Sequence, residues 1–163
     1  MLEQLTLQDT VLDAAREVFE TMIFMDIETS SDACPSITGE SLLGSITFKG
    51  DLEGCLAVCV SQSCADRIAK NMLGMEADES LTIEEACDAI GEVANMVMGS
   101  IKSRLQPLYP TLEVSIPSVI TGRELKNTLG ERAVKTIVCA WLDGQEAAEF
   151  SFLYRKSASQ KTQ

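Results

Sequence analysis

The sequence predicts an α+β protein in which an antiparallel sheet built from β-hairpins packs against long helices. Apolar residues recur with helical spacing in long segments, and they alternate in shorter segments that are joined by Gly–Asp or Asp–Gly. Strands joined by such short turns pair antiparallel, and amphipathic helices bury their apolar stripe against the sheet. The same order of elements occurs twice, which predicts two pseudo-repeated halves.

In the first half, the periodicity predicts a helix over residues 5–25. Residues 26–40 are rich in Ser, Thr and Asp, and they are predicted to form a loop. Two alternating strands then meet at Gly50–Asp51, which is a common type of hairpin turn. Residues 62–74 are predicted to form a second helix that ends at Gly74, because glycine readily adopts the left-handed conformation at a helix C-terminus.

The second half begins with a long predicted helix that starts at Ser80 or Thr82. Ser and Thr side chains cap helix N-termini, an acidic residue in the first turn strengthens the cap, and Pro107 stops the helix. Residues 111–122 are predicted to be extended, and a second hairpin is predicted around Asp143–Gly144.

A short motif occupies the same place in both halves, since residues 35–39 read PSITG and residues 117–122 read PSVITG. Each copy follows a helix and precedes a hairpin. An internal duplication is therefore predicted, with repeats over about residues 5–75 and 80–156.

The length of 163 residues suits one domain, which is placed at residues 1–156. Residues 157–163 are polar and are expected to form a disordered tail. The N-terminus is acidic and has no basic leader, and no apolar run is long enough for a membrane span, so a cytoplasmic protein is expected.

The charge balance excludes several classes of function. Twenty-five acidic residues against 13 basic ones give a net charge of −12, and histidine is absent. Such an acidic chain repels phosphodiester backbones and anionic lipids, so neither nucleic-acid binding nor membrane binding is expected. The absence of histidine excludes serine–histidine triads and most zinc sites.

The six cysteines form no recognisable metal or redox motif, because CxxC is absent and the spacing of Cys55, Cys59 and Cys64 fits no usual zinc pattern. Cys55 and Cys59 lie in an apolar segment that is predicted to be a strand, where cysteine behaves as a small hydrophobic residue. Free buried thiols are therefore expected.

Polar residues form a line on the long helix of the second half. With about 100° of rotation per residue, they lie between about 140° and 200° from Ile90, which is taken to face the core. The line consists of Asp88, Glu92, Asn95 and Gly99. These residues are expected to face solvent or a partner. An ordinary solvated helix face has the same composition, and that interpretation stays open at this point.

The core-facing stripe of this helix consists of the residues within about 60° of Ile90. They are Ile83, Ala86, Val93, Val97 and Ile101. Met96 and Met98 are expected to be exposed beside the polar line, as is typical of adaptable binding surfaces. Gly91 and Gly99 each cost about 0.5–1 kcal/mol of helix propensity, so they are expected to leave room for the close approach of another group.

The polar line resembles the signature of the CheC/CheX/FliY phosphatases of bacterial chemotaxis. That signature is an Asp or Ser, three residues, a Glu, two residues, an Asn, and a Pro farther along the chain. Asp88, Glu92 and Asn95 fit it, and Pro117 follows with one residue fewer than usual. The resemblance covers most of residues 40–155, is closest to the CheX members, and implies their fold.

This resemblance implies a protein phosphatase that hydrolyses the aspartyl phosphate of a CheY-like response regulator in two-component signalling. It implies that Asn95 reaches the phosphoryl group and that Glu92 contacts the active-site lysine of the regulator. The regulator itself would hold Mg²⁺, and this chain would bind no cofactor. We expect Asp88 to support docking and Gly99 to give clearance for the backbone of the partner.

The resemblance also implies a homodimer formed by joining two sheets, with the hairpin at 48–55 or the one at 141–150 as a candidate edge. A different class of function stays open: a non-catalytic adaptor for a phosphorylated regulator or for a flagellar-switch-like partner. Such an adaptor would use the same helix face.

The first helix carries Asp13, Glu17 and Glu20 at the same spacing, so a carboxylate replaces the amide. A carboxamide can bind both a water and a phosphoryl oxygen, whereas a carboxylate repels the phosphoryl oxygens. If the duplication holds, this copy is inactive and the chain has one functional centre. A plain solvated face is an equally open interpretation of these three residues.

Overall fold

The protein is described here by a computed structural model, which covers residues 4–29, 36–129 and 132–157. Three α-helices lie within these ranges: α1 (Gln4–Val18), α2 (Gln62–Leu73) and α3 (Ile83–Leu105). A single turn of π-helix, Phe19–Ile23, continues α1. The strands, in chain order, are β1 (Ile27–Thr29), β2 (Ser41–Lys49), β3 (Leu52–Ser61), β4 (Glu113–Val114), β5 (Ser118–Gly122), β6 (Val134–Leu142) and β7 (Glu146–Lys156).

The strands form one seven-stranded antiparallel sheet, which confirms the predicted α+β class. Its order is β1-β6-β7-β3-β2, and β4 and β5 share the far side of β2. Both predicted hairpins are present, because β2 pairs with β3 and β6 pairs with β7. Their turns place Gly50 and Gly144 at positive φ, where glycine is favoured.

The strand order is symmetric about the pair formed by β3 and β7. Each half contains a helix, a short strand and a hairpin, namely α1, β1 and β2–β3 in the first and α3, β5 and β6–β7 in the second. The short strand of each half pairs with the hairpin of the other half. This arrangement interlocks the two halves of the chain in one sheet.

The main core lies between the helices and one face of the sheet. Side chains alternate along a strand, so Leu56, Val58 and Val60 of β3 all point to this core and are fully buried. Gly44 of β2 lies below α3, since a Cβ atom there would be only 2.9 Å from Ile90 Cγ2. The absence of that Cβ lets α3 approach the sheet closely, which fixes the face that α3 presents outward.

Local sequence signals define the ends of the helices. Thr82 caps α3 in a capping box, because its side chain accepts a hydrogen bond from the Glu85 backbone while the Glu85 side chain accepts one from the Thr82 backbone. The helix ends at Leu105, shortly before Pro107. Gly74, in the left-handed conformation, ends α2 as predicted.

The two edges of the sheet differ from the expectation. Gly54 and Cys55 pair with both β2 and β7, and Trp141 and Leu142 pair with both β1 and β7, so neither hairpin is an edge. Within the described ranges, the edges are β1 on one side and β4 with β5 on the other. Sequence alone did not reveal this, because β1 lies in a segment that was predicted to be a loop, and the extended segment 111–122 carried no sign of the strand that it pairs with.

The cysteines mostly fit the expectation of buried, unreactive thiols. Cys55, Cys59, Cys64 and Cys87 carry free thiols. Burial raises the pKa of Cys59 to about 11 and that of Cys64 to about 12, so both remain protonated at neutral pH. Cys139 is instead disulfide-bonded, so the expectation of a free thiol was wrong for this residue. Cys34 lies outside the described residues.

Ser157, which was assigned to the tail, is buried, and its hydroxyl donates a hydrogen bond to the Gly50 carbonyl. The rest of the predicted tail, residues 158–163, lies outside the described ranges. In the part of the chain that the structure covers, none of the helices combines the length and the apolar character that a membrane span requires.

Candidate functional site

The polar line of α3 faces outward. Asp88, Glu92, Asn95 and Gly99 are all exposed. On the opposite side of the same helix, Ile90, Val93 and Val97 are fully buried. The predicted orientation of this face is therefore confirmed, because the apolar stripe anchors α3 on the sheet and leaves the polar line on the surface.

For two residues of α3, the structure gives a different burial from the one that the sequence predicted. Ile83 was assigned to the core stripe but is 42% exposed, since it is the first residue of α3. Met98 was expected at the surface but is fully buried, and only Met96, which is half-buried, borders the polar line. Met98 lies about 80° from Ile90 on the helical wheel, which places it closer to the core than to the polar line.

The side chains of the polar line are open to a partner. Among the described residues, none makes a hydrogen bond or an ion pair with Asp88, Glu92 or Asn95. Their carboxylate and carboxamide groups therefore keep their full capacity to bind groups from outside. The backbone that carries them is a helix of 23 residues with a capped N-terminus, which holds them in a fixed register.

The proline of the signature lies against α3. A Cβ atom on Gly91 would be 3.7 Å from Pro117 Cγ and 3.4 Å from Val119 Cγ2, which are ordinary van der Waals distances, so the sheet edge lies close to the helix at this point. Pro117 lies between β4 and β5, where its missing N–H breaks the edge strand. The sequence suggested no structural role for Pro117 beyond the spacing of the motif.

Ser115 compensates for this break in the edge strand. Its backbone N–H donates to the Thr47 carbonyl at 2.9 Å, and its hydroxyl accepts from the Thr47 backbone N–H at 3.0 Å. These two bonds hold the segment before Pro117 on β2. The proline is thereby fixed beside the middle of α3.

Two grooves border the polar line. One lies between the end of α2 and the first half of α3, has a volume of about 290 Å³, and is lined partly by Asp88 and Glu92. The other lies between α1 and the second half of α3, has a volume of about 530 Å³, and includes Met96 and Gly99. A Cβ atom on Gly99 would meet nothing within 4 Å, so the surface there is open.

The corresponding residues of the first helix are arranged differently. Asp13, Glu17 and Glu20 are exposed, but Glu17 Oε2 accepts hydrogen bonds from Ser100 Oγ at 2.9 Å and from Arg104 Nη2 at 2.8 Å. These bonds lower the pKa of Glu17 and tie it to α3. Glu20 lies in the π-helical turn, which changes the register that it would have in an α-helix.

The described residues contain no group of three or more acidic or cysteine side chains placed to hold a metal ion. The exposed face of α3 can position groups of a partner. It offers an amide that can both donate and accept, and carboxylates that can pair with a cation.

A family model and a curated relative both place this chain in the same protein family. Residues 42–139, more than half of the chain, match the family model described as chemotaxis phosphatase CheX. The chain is 34% identical over 86 residues to the CheY-P phosphatase CheX of Thermotoga maritima. That match covers 53% of this chain and 55% of the relative, so it spans about half of the relative's length.

Solved structures share the fold. Chemotaxis protein CheX from Desulfovibrio desulfuricans has a TM-score of 0.76 at 21% identity, over 91% of this chain and 99% of that chain. The CheX–CheY–BeF₃–Mg²⁺ complex from Borrelia burgdorferi has a TM-score of 0.71 at 23% identity, over 91% of this chain and 97% of that chain.

Proposed function

Because this chain belongs to the CheX family of chemotaxis phosphatases, we propose that it hydrolyses the aspartyl phosphate of a CheY-like response regulator. The observation that carries this proposal is the exposed, unpaired carboxamide of Asn95, held on a rigid helix within one turn of the unpaired carboxylate of Glu92. A CheY-like partner is supported by the structurally similar Borrelia protein, which was solved in complex with CheY.

Asn95 acts by positioning a water molecule. Its amide nitrogen donates to a phosphoryl oxygen, and its amide oxygen accepts from the water that attacks in line. Hydrolysis of an acyl phosphate passes through a loose transition state, so orientation of the water and neutralisation of charge are the main requirements. No general base with a tuned pKa is needed, which is consistent with a chain that contains no histidine.

Glu92 pairs with the active-site lysine of the regulator and sets the position of α3 on the partner. Asp88, one turn earlier on the same face, supports docking through further contacts with basic groups. The regulator supplies Mg²⁺ and the phosphorylated carboxylate, so this chain needs no metal or cofactor of its own. We place the reaction in the cytoplasm, with no nucleic acid or membrane as partner.

The test of this function is to mix the protein with candidate regulators that have been charged with acetyl phosphate, and to follow the release of phosphate. We expect the protein to accelerate release well above the rate of the regulator alone. Binding without acceleration would contradict the proposal and indicate a non-catalytic adaptor instead.

Replacing Gly99 by alanine tests whether this glycine leaves room for the backbone of the partner. A Cβ atom meets nothing within 4 Å in this chain, so the variant is expected to gain about 0.5–1 kcal/mol of stability from higher helix propensity. If the backbone of the partner approaches Gly99, KM should rise by about fivefold, or roughly 1 kcal/mol. Thermal unfolding and steady-state phosphate release measure the two effects. A more stable variant with an unchanged KM would exclude the clearance role.

We also propose that the protein is a homodimer in which two sheets join at the edge formed by β4 and β5. This edge exposes Val114, Ile116 and Ile120, and exposed apolar residues on an edge strand favour pairing with another strand.

Ile116 is 86% exposed, so Ile116→Asp should leave the fold intact and convert the dimer to a monomer of 17.7 kDa. Light scattering measures the mass, with Leu108→Asp, a change at an exposed residue outside β4 and β5, as the control. A wild-type monomer would refute the dimer.

A further inference from the structure

The groove between α2 and α3 combines an apolar floor with an acidic rim. Met72, Leu73 and Ala89 supply the apolar part, and the acids that line it are Glu85, Asp88 and Glu92. Leu73 is 57% exposed at the end of a helix that buries Cys64, Ala65, Ile68 and Ala69. Among the described residues, no basic side chain lines this groove.

The groove is preformed. Gly74 ends α2 in the left-handed conformation, and the N–H of Met75 donates to the Lys70 carbonyl at 2.9 Å. Lys70 Nζ donates to the Ala77 carbonyl at 3.0 Å, which holds the next segment against the end of the helix. Leu73 is therefore presented on a fixed turn, so that little conformational entropy is lost when a partner covers it.

The groove is also continuous with the face that carries the proposed function. Glu92 and Asp88 line the groove and at the same time belong to the polar line of α3. A protein that approaches Asn95 and Glu92 from outside must therefore cover the mouth of the groove. The other groove, beside α1, contains the Glu17–Arg104 ion pair and lacks this acidic rim.

We propose that this groove binds an apolar side chain of the phosphorylated response regulator, at a point where that side chain is bordered by basic residues of the regulator. The inference rests on the proposed function, because it uses the same partner and the same face of α3. Leu73 and Met72 supply apolar contact, and Glu85 supplies charge complementarity outside the catalytic pair. The groove then contributes to affinity and to the choice among regulators, and it does not contribute to the chemical step.

The direct test is the affinity for the regulator in its Mg²⁺–beryllofluoride form, measured by titration with the wild type, Leu73→Ser and Leu108→Ser. Leu108 is 65% exposed and lies beyond the C-terminal end of α3, so it serves as a matched control. We expect Leu73→Ser to raise Kd by about tenfold, equivalent to about 1.4 kcal/mol, and Leu108→Ser to leave it unchanged. In steady-state phosphate release, Leu73→Ser should raise KM by the same factor and leave kcat unchanged.

A second pair of variants tests the acidic rim. Glu85→Gln keeps the capping box, because glutamine can replace glutamate at this position, but it removes one charge from the groove. Glu84→Gln removes one charge from the same helical turn outside the groove. We expect Glu85→Gln to raise Kd by about threefold at low salt and to reduce its dependence on salt, with a smaller effect from Glu84→Gln.

The outcomes separate the two proposals. If Leu73→Ser and Leu108→Ser bind the regulator as tightly as the wild type, the groove is not part of the contact, whatever the rate of hydrolysis. If Leu73→Ser changes the oligomeric state in light scattering and not the Kd, a second copy of the chain occupies the groove and the inference is wrong. If the wild type binds the regulator but releases no phosphate, the proposed function fails, while the titration still decides the groove.

Discussion

Replacing Asn95 by alanine is expected to lower kcat for phosphate release by about 100-fold or more, which is the range for removal of one positioned donor at a reacting centre. The side chain is exposed and makes no hydrogen bond to another described group, so its loss should not disturb the fold of the chain. Alanine is also a better helix former than asparagine, so the melting temperature should not fall. Steady-state phosphate release and thermal unfolding, measured on the same preparation, test both statements.

Asn95→Asp provides a sharper version of this experiment. It keeps the size of the side chain but places a carboxylate opposite the phosphoryl oxygens, so we expect it to be at least as inactive as the alanine variant. Gln62→Ala, which removes an exposed carboxamide from the start of α2, should leave activity unchanged. An Asn95→Ala protein that retains wild-type kcat would show that water is oriented by another group, and the proposed mechanism would have to be abandoned.

Replacing Glu92 by alanine is expected to lower kcat/KM by roughly 30-fold, which corresponds to about 2 kcal/mol for an ion pair that becomes desolvated in a complex. Most of this loss should be in KM, because Glu92 is proposed to hold the regulator and not to contact the phosphoryl group. The residue is exposed and has no partner among the described side chains, so folding should again be unaffected. The concentration dependence of phosphate release gives kcat and KM separately.

Glu92→Gln removes the charge of the side chain but keeps its size. We expect this variant to lose most of the affinity for the regulator that Glu92→Ala loses. Glu20→Ala removes a carboxylate from the π-helical turn after α1 and should behave as the wild type, because that copy of the motif has no amide and a different helical register. Equal losses in Glu92→Ala and Glu20→Ala would indicate a general effect of net charge and would remove the reason for a specific lysine contact.

The Asn95 and Glu92 variants test which groups each of the two proteins contributes to the reaction. The regulator would bring the metal, the lysine and the reactive acyl phosphate, whereas this chain would contribute an amide and a carboxylate at fixed positions. A strongly acidic protein without histidine can perform such a reaction, because positioning alone can supply several kcal/mol of the lowered barrier.

Local signals in the sequence were sufficient for most of the fold. The capping residues and Pro107 determined the ends of α3 within a few residues, and Gly50–Asp51 and Asp143–Gly144 determined the hairpins. These features depend on neighbouring residues, whose hydrogen bonding and backbone preferences act over only a few positions. The outward orientation of Asn95 was predictable for a similar reason, since the apolar stripe on the opposite side is encoded in the same helix.

The sequence by itself determined the helices, the hairpins, the acidic surface and the outward line from Asp88 to Gly99. The tertiary structure decided which strands form the edges, the burial of Met98, the disulfide bond at Cys139, and the position of Pro117 near Gly91. It also brought Leu73 of α2 and Glu92 of α3 together in the lining of one groove. Helical and strand periodicity describe which way a side chain points within its own element, but proximity between elements depends on the packing of the whole core.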